Sequence, residues 1–110
     1  MFPTPTPSEE AIQQLKEQLP GKRLRLLEAC GATLIVRAPS EPEIVRMNTA
    51  AADRERRLTA ANRLLRDVCV WPAPAALDDI LRELPALPYS VSDQILELSG
   101  MTADVQKKDL

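Results

Sequence analysis

The chain of 110 residues contains no histidine. General acid–base chemistry would therefore fall to carboxylates, cysteine or lysine. A zinc site would need two cysteines plus carboxylates, an uncommon ligand set. The two cysteines, Cys30 and Cys69, do not make a disulfide framework, and both read as small apolar residues. Aromatics make up 3% of the chain, so a core has to be assembled from Leu, Ile, Val and Ala. Three glycines standing far apart exclude a Gly-rich phosphate loop. No apolar run approaches the ~20 residues of a membrane span. Met1-Phe2-Pro3-Thr4 lacks the basic and apolar regions of a secretion signal, which makes the cytoplasm the expected compartment. A formal net charge of −2 argues against general nucleic-acid binding, which usually needs a basic domain.

What is present is a 45% hydrophobic fraction arranged in short periodic segments. The pattern predicts a single α+β, mostly helical domain over residues 8–101, between a Pro-rich tail at 1–7 and a polar tail at 102–110. A short helix runs from Ser8 to Leu19, capped by Ser8, with Ile12, Leu15 and Leu19 on one face. Lys22 to Pro39 predicts a β-hairpin turning at Cys30-Gly31, with Leu24, Leu26, Leu34 and Val36 on the buried face and Arg23, Arg25, Thr33 and Ile35 on the other. Ser40-Glu41-Pro42-Glu43 reads as a capping box. It opens one long helix to Val70, whose stripe is Ile44, Met47, Ala51, Leu58, Ala61, Leu65 and Val68. Its middle, Asp53 to Arg57, is nearly all charged and is expected to face water. Trp71-Pro72 stops it. Two short closing helices follow: Ala73 to Leu84, with Leu77, Ile80, Leu81 and Leu84 inward, and one capped by Ser90 and ended by Gly100.

The candidates for chemistry are weak. Asp78-Asp79 and Glu9-Glu10 are adjacent on helices, so each pair diverges by about 100° and does not converge on one proton or metal. Cys69 near a helix C-terminus would have a raised thiol pKa. No catalytic, cofactor or metal residues are assigned, and the protein is expected not to be an enzyme. The arginines Arg54, Arg56, Arg57, Arg63 and Arg66 read first as a solvated helix face, with an acidic protein partner second and nucleic acid third. Trp71, the lone tryptophan, falls at a corner between two predicted helices; it reads first as a core residue and second as a binding residue, because tryptophan is enriched at binding hot spots.

In layout the chain resembles the small tail assembly chaperones of long-tailed bacteriophages and prophages. The resemblance runs from the hairpin to Gly100. It rests on Arg37-Ala38-Pro39-Ser40, Glu43-Ile44-Val45-Arg46, Ala61-Asn62-Arg63-Leu64-Leu65, Val68-Cys69-Val70-Trp71-Pro72, Leu77 to Leu81, Pro85-Ala86-Leu87 and Ile95-Leu96-Glu97-Leu98-Ser99-Gly100. It departs from that layout after Trp-Pro, where Ala73-Pro74-Ala75 replaces an expected acidic residue. The resemblance implies a non-catalytic protein that binds the tape measure protein, the tail tube protein, or both, in the host cytoplasm before the tail forms. The contact residues expected on this reading are Ile35, Trp71, Leu77 and Leu81, and an unpaired hairpin edge offers a route to a homo-oligomer. The alternative is a small cytoplasmic adaptor or regulatory module that binds one folded protein.

Overall fold

The computed structural model describes residues 6–100 and 109. The fold is α+β and mostly helical, as expected. Helix α1 (Glu9–Gln18) is capped by Ser8, whose Oγ accepts from the Ala11 N–H at 3.1 Å. Strands β1 (Leu24–Ala29) and β2 (Ala32–Arg37) form the hairpin, and both turn residues, Cys30 (φ 53°) and Gly31 (φ 82°), are left-handed, as a two-residue primed turn requires. Two helices follow, α2 (Glu41–Ala51) and α3 (Arg57–Val68), then a short strand β3 (Cys69–Trp71), α4 (Pro74–Glu83) and α5 (Leu87–Glu97). The three strands form one antiparallel sheet in the order β1-β2-β3.

The long helix expected over Ser40–Val70 is two helices folded back on one another. The charged middle is a turn rather than a solvated helical span. Asp53 causes it: its Oδ1 accepts from the Glu55 N–H at 2.9 Å, and its own carbonyl accepts from the Arg56 N–H at 3.1 Å. Such a side-chain-to-backbone bond gives the chain an alternative to the helical ladder. An ion pair between Arg46 and Asp67 at 3.1 Å then ties the two helices across the fold. Asp67 takes Arg46 of α2 rather than Arg63, one turn away on its own helix. Leu58, one member of the expected stripe, is 48% exposed, because the break puts it in the first turn of α3.

The face that β1 buries differs from expectation, although the turn is at Cys30-Gly31 as expected. Leu27 faces Leu34 and Ala29 faces Ala32, while Leu26 faces Ile35 and Arg25 faces Val36. Leu24 and Leu26 therefore share a face with Ile35, and Leu27 and Ala29 join Leu34 and Val36 in the core. A one-residue change in pairing moves every side chain of a strand to the other face. Ile35 does lie on the expected face, but Ile12 and Leu15 of α1 meet it there with Leu24 and Leu26 around a void of ≈ 90 Å³. Helix α1 thus covers part of the second face of the sheet, where Leu26 stays 41% exposed. On the core side Leu34 and Val36 pack with Leu65 and Val68 of α3, Ile80 of α4 and Ile95 of α5.

Helix α5 starts one turn earlier than the expected Ser90 cap. Pro88 stands in its first turn, where a missing N–H breaks no bond, and the Ser90 Oγ donates to the Ala86 carbonyl at 3.3 Å. Arg25 of β1 reaches the end of α5, donating to the Gln94 carbonyl at 3.3 Å and pairing with Glu97 at 3.6 Å. The two expected tails fall mostly outside the described residues; Pro7, which is described, is buried.

Candidate protein-binding grooves

Helix α3 is the element on which the surface features converge. Ala61, Leu64, Leu65 and Val68 turn into the core and leave its two flanks as groove walls. On one flank an open groove of ≈ 490 Å³ lies between α3 and α4. Its apolar lining is Leu58, Leu81 and Pro85; its polar lining includes Thr59, Asn62, Arg66, Asp78 and Arg82. Arg66 and Asp78 form an ion pair across it, and Arg66 Nε also donates to Asn62 Oδ1 at 2.7 Å. Arg82 is held by Asp79 at 3.2 Å, one turn back on α4. The exposed Leu58 at the start of α3 and Pro85 just past α4 line it, with the buried Leu81 at its floor.

On the other flank, a groove of ≈ 260 Å³ separates α2 from α3. Met47, Ala50, Ala60 and Leu64 line its apolar part, and Arg46, Arg56 and Arg63 its basic part. Its far end is closed by a polar knot around Arg37. Arg37 Nη1 and Nη2 donate to both oxygens of Glu43 at 2.8 and 2.9 Å, and Nη2 also donates to the Asp67 carbonyl at 2.9 Å. Glu43 Oε1 accepts from the Ser40 N–H at 2.8 Å, the backbone half of the expected capping box. The Arg37 hydrogen bonds are the largest influence holding the Glu43 carboxyl down at about 2, against a partial burial that opposes them; the Ser40 bonds add to the effect.

The residues expected to contact a partner are not brought together as one exposed patch. Ile35 is 3% exposed beneath α1, and Leu77, at 3% exposed, is a core residue of α4. Leu81 is also buried but reaches the floor of the α3–α4 groove. Trp71 is half-buried, at the end of β3 opposite Ile35 rather than at a corner between two helices, and the Trp71–Pro72 peptide is cis. The sequence reading missed Leu58, whose exposure follows from the helix break; the signal for it was Asp53, a turn-forming residue inside a charge run. Burial pushes the Cys69 thiol up to about 11, partly offset by a backbone hydrogen bond from Trp71; its Sγ donates to the Trp71 carbonyl at 2.9 Å. Cys30 is exposed at the hairpin tip. Among the described residues no group of three or more Cys, Asp or Glu side chains is placed to hold a metal ion, and no helix is long and apolar enough to cross a membrane.

A family model described as a domain of unknown function (DUF6848) matches residues 27–108, from within β1 onward. No curated protein matches the chain. A solved structure of an uncharacterised protein, rbstp2171 from Bacillus stearothermophilus, has the same fold: it superposes with a TM-score of 0.71 at 18% identity, over 88% of this chain and 99% of that one.

Proposed function

We propose that this chain, which belongs to the DUF6848 family, acts without catalysis by binding another protein along the groove between α3 and α4. The observation that carries this reading is the combination of exposed apolar residues, Leu58 and Pro85, with the buried Leu81 at the groove floor and a rim of ion-paired side chains. An apolar centre inside a polar rim is the usual anatomy of a protein interface, and a cleft between two helices accepts an amphipathic segment. The finer reading is a tail assembly chaperone whose client is the tape measure protein or the tail tube protein, acting in the host cytoplasm. Its support is the resemblance in layout from the hairpin to Gly100, together with a groove able to hold an apolar client segment.

Co-expression tests both levels. Tagged protein is produced with the tail tube and tape measure proteins encoded in the same genome and eluted at low and high salt. Co-elution through high salt, lost in Leu58→Asp with the helical signal unchanged, is the expected result. Leu58 is chosen over Leu77 and Leu81 because its side chain is already half in water. Recovery of neither client overturns the chaperone reading. Recovery of one different host protein, again lost in Leu58→Asp, would leave the groove in place and make the protein an adaptor.

A further inference from the structure

The groove between α2 and α3 has a shape and a charge distribution that the α3–α4 reading does not use. Glu43, Met47 and Ala50 follow one another along α2, and Arg56, Ala60, Arg63 and Asp67 along α3. The groove is therefore about 10 Å long on its α2 side and about 16 Å on its α3 side, or two to three helical turns at ~1.5 Å per residue. Two alanines, Ala50 and Ala60, line it where larger side chains would have filled it, while Met47 and Leu64, both buried, form its base.

Its charges are unevenly satisfied. At the far end Glu43 is neutralised by Arg37, and Asp67 by Arg46. At the turn end Arg56 holds Asp53 only loosely, at 3.4 Å with its side chain 75% exposed. Arg63 is exposed and makes no ion pair among the described residues. Both acidic groups of the groove thus already have partners, and the free charge it presents is positive.

The walls are side chains of two helices whose backbone groups are internally bonded. An extended segment laid over the apolar floor would find no strand edge to pair with and would leave its own N–H and C=O groups unsatisfied. A helix brings its backbone already paired. We propose that the α2–α3 groove docks a two-turn acidic amphipathic helix of a protein partner, its apolar side chains over Ala50 and Ala60 and a carboxylate on Arg63. This site lies on the other flank of α3 from the α3–α4 groove, with Thr59 between them the one residue that lines both.

The test uses the full chain and a fluorescein-labelled 14-residue peptide of leucine and glutamate at helical spacing, read by anisotropy. Controls are the same peptide with every glutamate changed to lysine, and a scrambled glutamate peptide. The acidic helical peptide should bind, and the other two should not. Arg63→Glu and, separately, Ala50→Leu should each weaken binding by about tenfold or more, as expected for removing a charge pair or filling the groove. Arg63→Glu should gain affinity for the lysine peptide. Arg82→Glu and Leu58→Asp should leave acidic-peptide binding within about twofold, since neither lines this groove. Equal binding of the scrambled peptide, no effect of Arg63→Glu, or displacement of the peptide by a single-stranded oligonucleotide would overturn the inference. Loss in Leu58→Asp but not in Arg63→Glu would also overturn it, while supporting the α3–α4 groove as the docking surface.

Discussion

The most direct quantitative test lies in the polar knot that joins β2, α2 and α3. Arg37 grips Glu43 with two hydrogen bonds and spends a third contact on the Asp67 carbonyl at the end of α3. Glu43→Gln keeps the side-chain shape and can still accept from the Ser40 N–H, so the helix cap is largely preserved and the charge alone is removed. A carboxyl lowered from 4.5 to about 2 is stabilised as the anion by roughly 3 kcal/mol. The Glu43 side chain is only 11% exposed, but Arg37 is 22% exposed and can be partly rehydrated in the mutant. The expected loss at about pH 7 is therefore about 2 kcal/mol, below the cost of stranding a fully buried charge.

The pH dependence gives this number a signature. The folded pKa lies below the unfolded one, so the carboxylate stabilises the fold fully above about pH 4.5 and loses that contribution as the pH falls towards 2. Urea unfolding followed by circular dichroism at several pH values should show a constant gap between wild type and Glu43→Gln near neutrality. The gap should shrink below about pH 4.5 and nearly close by about pH 2. A gap that stays the same down to that pH would mean that the mutation acts through packing or the cap. A loss under about 0.5 kcal/mol at neutral pH would refute the claim that the knot holds the three elements together.

Two further outcomes can be checked quickly. Cys30 is exposed, whereas burial holds the Cys69 thiol up at about 11, so iodoacetamide near pH 8 should label Cys30 first and Cys69 only on unfolding; mass spectrometry of the labelled peptides decides, and early labelling of Cys69 would contradict its burial. Cys30 holds φ at 53°, a conformation asparagine tolerates better, so Cys30→Asn should stabilise the hairpin by about 0.5 kcal/mol and raise Tm by a few degrees; a fall in Tm would show that the thiol is needed at the turn.

What could be read from the sequence was whatever short-range chemistry decides. Ser8, the Ser40–Glu43 box and the Cys30-Gly31 turn all appear where expected, because each depends on residues within four positions. The failures are tertiary. The face of β1 hangs on the pairing of Ala29 with Ala32 across a two-residue turn; both alternatives present leucines, so composition alone did not choose between them. Cys69-Val70-Trp71 follows α3 without any break residue and becomes a strand only because β2 lies alongside it to pair. Ile35 lost its expected exposure to α1, a helix of three turns whose docking face is legible but whose destination is not.

The break between α2 and α3 matters most for function, because it creates the α2–α3 groove and exposes Leu58 in the other. A continuous helix from Ser40 to Val70 would have left no α2 beside Arg63 to form a cleft. Folding at Asp53 lays α2 against one flank of α3, and the knot at Arg37 fixes the opposite end of that pair. The other flank is left to α4, whose start after β3 sets the distance from Asp78 to Arg66. The charge run that first reads as a solvated helix surface is in this way split. Arg66 goes to one groove and Arg56 and Arg63 to the other, and Arg63 alone of these three meets no acid within the described fold. A positive side chain beside an apolar cleft is poised to choose a partner by charge and hold it by burial, and the two contributions separate in experiment because only the first weakens with salt.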